Sequence, residues 1–159
     1  MSDSSQKQRP KKRRFGGTEQ QIRSALGFYK VLAYATGVML LLVVVEMIAK
    51  YGFGSDIIAG GTNVETGDAV ALGFNNVVEQ TITGGFNLST AVLIVHGWMY
   101  VVYLIADFRL WSLMRWQFGK FILIALGGVI PFLSFIVEKR MHREVEAELA
   151  AHPEASARY

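Results

Sequence analysis

The sequence predicts an all-α membrane protein: three transmembrane helices, a Gly-rich extracytoplasmic insert and a disordered basic N-terminal tail. Three observations carry this reading. The 159 residues are 52% hydrophobic with a mean hydropathy of +0.30, too apolar for a soluble domain of this length. The apolar residues are gathered into three runs rather than spread along the chain. The charge is uneven too, since "KQRPKKRR" (Lys7 to Arg14) holds six basic residues in eight positions.

Residues 1–24 have almost nothing to bury and are expected to be a disordered cytoplasmic tail. A basic tract can bind a phosphate polymer such as a nucleic acid. Ahead of an apolar run it reads instead as a topology determinant, with Lys11, Lys12, Arg13 and Arg14 touching anionic lipid of the bilayer and no nucleic-acid partner. Residues 25–143 form the membrane domain, with spans at about 28–49, 88–106 and 118–137. Each run supplies the roughly twenty apolar residues needed to cross a core of about 30 Å at about 1.5 Å per residue. Phe28 and Tyr29 mark one boundary of the first span, Tyr51 and Phe53 the other. Ser89 or Thr90 is available as N-cap of the second. Pro131 in the third is tolerable where neighbouring helices satisfy the freed carbonyl.

The insert, 51–87, is Gly-rich and contains acids but no Lys or Arg. Val70, Phe74, Val77, Val78 and Ile82 fall at helical spacing, which predicts a surface helix over 68–82. Residues 144–159 read as a polar C-terminal tail. With the N-terminus inside, eleven Lys and Arg lie inside and five outside (Lys50, Lys139, Arg140, Arg143 and Arg158). That balance predicts a cytoplasmic N-terminus and an extracytoplasmic C-terminus, with "EKRMHR" as the awkward item on the outer face.

Four segments, "FYKVLAYATGVMLLLV", "KYGFG", "HGWMYVVYL" and "IPFLSFIVEKR", follow one another in order. In that order and spacing the chain resembles the small bacterial integral membrane proteins that carry domain of unknown function 3817. The resemblance covers about residues 25 to 143 and implies a multi-pass protein of the bacterial plasma membrane. It implies no activity. Two features depart from the family pattern: the insert at 55–87 is long, and Thr36 stands before Gly37 where many members have Glu.

On the second span His96, Tyr100, Tyr103 and Asp107 are four, three and four apart and share one face. Ionisable groups in a span cost about 2.5–3.5 kcal/mol on insertion scales, so they are expected to have partners or a function. Glu46 is the candidate partner of His96, although it lies ~9 Å from the midplane and His96 only ~2–5 Å from it. Two readings stand: a protonation-sensitive His96–Glu46 pair, or a neutral His96 making one structural hydrogen bond between helices. Gly37, Gly97, Gly127, Gly128 and Pro131 are expected at close helix contacts.

There is no cysteine, no HExxH, no phosphate loop and no nucleophile elbow. His96, His142 and His152 lack metal-ligand spacing, so no metal, cofactor or catalytic residue is expected. The favoured expectation is a non-catalytic accessory or assembly subunit of a membrane complex, as a homo-oligomer or with another membrane protein. A subunit of a small homo-oligomeric transporter or channel is the alternative, and an intramembrane lipid enzyme comes last.

Overall fold

The computed structural model describes residues 14–154. Two long antiparallel helices, α1 (Glu19–Met47) and α2 (Leu88–Met114), form its axis. A small β-structure joins them at one end, the sheet end. Two shorter helices, α3 (Phe118–Gly127) and α4 (Leu133–Ala151), pack on them at the other, the terminal end.

α1 begins well before the expected boundary at residue 28. Thr18 and Gln21 make a reciprocal capping box: the Thr18 hydroxyl accepts from the Gln21 N–H at 3.3 Å, and the Gln21 side chain accepts from the Thr18 N–H at 3.1 Å. This satisfies two of the helix's orphan donors. Ahead of it Phe15 is buried, and the Gly16 N–H donates to the Leu113 carbonyl at 2.6 Å. A side chain at Gly16 would meet the Ser112 carbonyl at 2.7 Å. Residues 14–24 are therefore fixed by packing, which corrects the expectation of disorder for that part of the tail. Lys11, Lys12 and Arg13 lie outside the described residues, and Arg14 pairs with Glu148 at 3.5 Å. The last turn of α1 continues as a π-helical segment, Ile48–Gly52.

The expected surface helix over 68–82 is absent; that stretch is strand and turn. β1 (Ser55–Ala59) pairs antiparallel with β3 (Leu72–Asn76), in register from Ser55↔Asn76 to Ala59↔Leu72, and on its other edge with β5 (Phe86–Asn87). β2 (Thr62–Asn63) pairs with β4 (Ile82–Thr83). The apolar spacing was helical, but the residues between favour turns. Asn76 accepts from the Val78 and Glu79 N–H groups at 2.8 and 3.1 Å, and Asn63 from those of Glu65 and Thr66 at 2.8 and 3.2 Å. Such side-chain bonds compete with helix, and Gly67, Gly73, Gly84 and Gly85 weaken it further. Gly85, at φ +78°, also lets the chain pass the Gly60 carbonyl, which a Cβ would meet at 2.5 Å. The fold is thus mainly helical with a β-cap.

α2 is capped by Asn87, whose side chain accepts from the Thr90 N–H at 2.8 Å, so neither Ser89 nor Thr90 is the N-cap. α1 with its π-helical segment and α2 are long and apolar enough to cross a membrane.

The third apolar run is broken. α3 has ten residues, about 15 Å or half a bilayer core, and the chain reverses over 128–132, with Phe132 at φ +66°. Aromatic contacts align α3 against the terminal half of α2: Trp111 with Phe118 at 6.4 Å and Phe108 with Phe121 at 6.3 Å. α4 then runs back along α1. The Ser134 hydroxyl donates to the Ala33 carbonyl at 2.7 Å, Arg23 pairs with Glu146 at 2.7 Å, and Lys120 pairs with Glu144. Residues 118–151 are therefore a helical hairpin that enters and leaves at the terminal end. This corrects both the uninterrupted span at 118–137 and the placing of the C-terminal segment opposite the N-terminus. It also corrects the polar tail at 144–159, because α4 runs to Ala151 with Val145 and Leu149 buried.

The main core lies in the terminal half, where Ile22, Leu26, Tyr29, Leu110, Ile124, Met141 and Val145 are at most 2% exposed. Residues such as Trp98 (71% exposed) and Ile105 (62%) leave the outer face of α2 apolar.

Candidate functional site

Of the polar residues predicted to lie together within the spans, His96, Tyr100 and Tyr103 form a continuous row of rings along α2, at 6.4 and 6.2 Å, and Glu46 of α1 lies apart from them. Tyr103 and Asp107 are fully buried in the terminal half, beside Tyr29, Thr36, Ser134 and Glu138. The Tyr29 and Tyr103 rings lie 5.8 Å apart. The Tyr103 hydroxyl donates to the Ile124 carbonyl at 2.6 Å, and that of Tyr100 to the Ala125 carbonyl at 3.1 Å. These two carbonyls belong to the last turns of α3, where helix donors run short; the Ala125 carbonyl also accepts from the Gly128 N–H at 3.2 Å. The tyrosines thus cap the helix whose end Gly128 and Pro131 impose.

Asp107 has no hydrogen-bond partner for either carboxylate oxygen among the described residues. Glu138, 2% exposed, interacts with the hydroxyl of Tyr34 and acts on that of Tyr29. Tyr29 was read as a boundary aromatic. It is instead on the interior stripe Ile22, Leu26, Tyr29, Ala33, Thr36, Leu40, whose three- and four-residue spacing begins early enough to have revealed the true helix start.

Glu46 is at the sheet end and does not meet His96. Its carboxylate accepts from the Ser89 hydroxyl, which itself accepts from the Ile57 N–H at 2.9 Å. This relay ties α1, β1 and the first turn of α2 together, with the carboxylate next to the positive end of the α2 dipole. His96 is seven residues further along α2, about 10 Å away along the axis. Its ring stacks on Tyr100 at 6.4 Å and lies by the Gly128 backbone, while its Nδ1 is buried without a hydrogen-bond partner. The contact at Ser89 fixes the register that keeps the two apart. Ser89 was read in the sequence only as a candidate N-cap, and Ile57 was not singled out, since it takes part through its backbone N–H.

Among the glycines, a Cβ at Gly37 would lie 2.9 Å from the Phe135 ring, one at Gly127 3.1 Å from the Tyr103 hydroxyl, and one at Gly128 would overlap the Tyr100 ring. Gly97 has nothing within 4 Å of that position and is exposed, so it is not a helix contact. Pro131 is at the exposed hairpin tip. Among the described residues no group of three His, Asp or Glu side chains could hold a metal ion.

Fold and site together define a helical protein with two helices of membrane-crossing length, a β-cap and a buried polar interior. The chain belongs to the family described as Domain of unknown function (DUF3817), whose model matches residues 26–143. Similar proteins include an uncharacterised protein of Mycobacterium tuberculosis and one of Mycobacterium bovis, each 27% identical over 128 residues, or 80% of this chain and 82% of the relative. An uncharacterised protein of Mycobacterium leprae is 25% identical over 127 residues, 80% of both chains. No solved structure matches.

Proposed function

We propose that this chain is an integral protein of the bacterial plasma membrane, with α1 and α2 as full spans and α3–α4 as a re-entrant hairpin, acting as a non-catalytic accessory or assembly subunit of a membrane complex. In this placement both ends of the chain are cytoplasmic. Lys50 is the only Lys or Arg between residues 31 and 108, so the basic residues, "EKRMHR" included, gather on one side. That removes the item that sat badly with three spans.

The observation that carries the subunit reading is the surface of the β-cap. Phe53, Leu72, Phe74, Val78 and Phe86 are 61–89% exposed, beyond the length of helix needed to cross the bilayer. Apolar side chains collected outside a membrane core mark a contact surface. The transporter reading draws less support, because Tyr103 and Asp107 are buried within one protomer and do not face a neighbour.

Native mass spectrometry of the full chain, released from its own membrane in mild detergent, tests the reading. A stoichiometric protein partner is expected, and it is lost from the variant Phe74→Ser/Val78→Ser. A defined homo-oligomer with no other protein, unchanged in that variant, would favour the transporter and sink the subunit.

A further inference from the structure

A cavity of about 350 Å³ lies between the last turns of α1 and the first turns of α2. Glu46, Lys50, Tyr51, Ser89 and Thr90 supply its polar groups, and Val43, Leu93 and Ile94 are part of its apolar wall. Leu93 and Ile94 are more than half exposed, so this wall continues onto the outer, apolar surface of α2.

The hydrogen-bond directions around Glu46 define what the cavity accepts. Ser89 receives the Ile57 N–H, so its own proton is directed to Glu46 Oε2. Glu46 as a residue is 6% exposed and lines the cavity, and its carboxylate has no second protein donor among the described residues, so an oxygen is left to accept from whatever occupies the cavity. Lys50 is one helical turn away, about 6 Å along the axis. It is paired with Asp56 at 3.2 Å, yet its side chain is 44% exposed. The cavity therefore offers a recessed acceptor, a cation at its rim and a greasy wall. A ligand complementary to all three has N–H donors on a positive group, a phosphate a few ångströms away, and hydrocarbon.

We propose that this cavity binds the headgroup of a phosphatidylethanolamine-type aminophospholipid. Its primary ammonium donates to Glu46, its phosphate sits at Lys50 and Thr90, and an acyl chain follows Val43, Leu93 and Ile94. A quaternary choline ammonium has no N–H to donate, and a glycerol headgroup has no positive charge, so both are discriminated against. The inference rests on the membrane placement proposed above.

The test uses the full chain in detergent with an equimolar mixture of phosphatidylethanolamine, phosphatidylcholine and phosphatidylglycerol, read by native mass spectrometry. One phosphatidylethanolamine is expected to be retained at about tenfold preference over each of the others, which one charge-assisted hydrogen bond supplies. Glu46→Gln should abolish the preference. Should that variant fail to fold, Leu93→Trp, which fills the apolar wall and leaves the relay intact, should abolish retention. Equal retention of the three lipids, or a preference that survives the variant tested, overturns the site. Displacement by soluble phosphoethanolamine at matched concentration would assign the cavity to a free metabolite and overturn the lipid. A chain released from membranes by alkaline carbonate would instead refute the membrane placement, so the two failures are distinguishable.

Discussion

Three side chains set the energetics of the interior. Ser89 has two roles: it accepts from Ile57 and donates to Glu46. Ser89→Ala should leave a buried carboxylate without its donor and cost about 1–3 kcal/mol, read as a lower melting temperature in detergent; an unchanged melt would mean that water replaces the hydroxyl. Tyr103→Phe removes the cap on the Ile124 carbonyl and should cost about 1–3 kcal/mol, measurable in the same assay. Asp107 works in the opposite direction, because it is fully buried and its oxygens lack partners. Asp107→Leu should therefore stabilise the bundle by about 1–3 kcal/mol, and a drop in melting temperature would show that Asp107 has a stabilising partner after all. Spacing alone made the shared face of Tyr100, Tyr103 and Asp107 legible in the sequence. The partner of Glu46 was not legible, because helix spacing says nothing of the register between two helices. A serine hydroxyl at a helix start is also easily taken for a cap.

At the scale of elements, the hairpin tip depends on small residues and one strained position. Gly128 lies against the Tyr100 ring, and Phe132 is left-handed. Gly128→Leu should displace Tyr100 from the Ala125 carbonyl and destabilise by about 1–3 kcal/mol, as overpacking does. Phe132→Gly relieves the left-handed strain, worth about 1–2 kcal/mol, but exposes more backbone. Unfolding in detergent should show the first variant well below wild type and the second near it or above. The apolar runs of α1 and α2 were plain from the sequence because their length suffices. The third run also had sufficient length, and its glycine pair and proline were consistent with either a kink or a reversal. Only the contacts of Ser134 with Ala33 and of Arg23 with Glu146 decide between them. The β-cap was hidden by apolar residues whose spacing matches a helix while Asn63 and Asn76 close turns between them.

At the scale of the molecule, both ends of the described chain lie together, joined by Arg14 with Glu148 and Arg23 with Glu146. With no native cysteine, single cysteines report sidedness without background. In intact cells, Glu65→Cys in the β-cap should react with an impermeant maleimide, whereas Glu154→Cys should react only after the membrane is opened. Labelling of Glu154→Cys from outside would restore three spans and refute the hairpin placement. In the proposed placement the basic run after residue 138 joins the other basic residues at the cytoplasmic end, whereas a chain whose every apolar run crosses would put it outside.

The hairpin stops half way, and this gives the molecule a taper. In the proposed placement four helices occupy the cytoplasmic leaflet and two occupy the outer one, with lipid filling the remaining outer space beneath the β-cap. A wedge of that kind fits best where the cytoplasmic leaflet is the convex, expanded side of a bent bilayer. Reconstituted with the cytoplasmic face outward, the chain should reach a higher surface density on small vesicles than on large ones. A form lacking the hairpin, with its wedge removed, should distribute evenly.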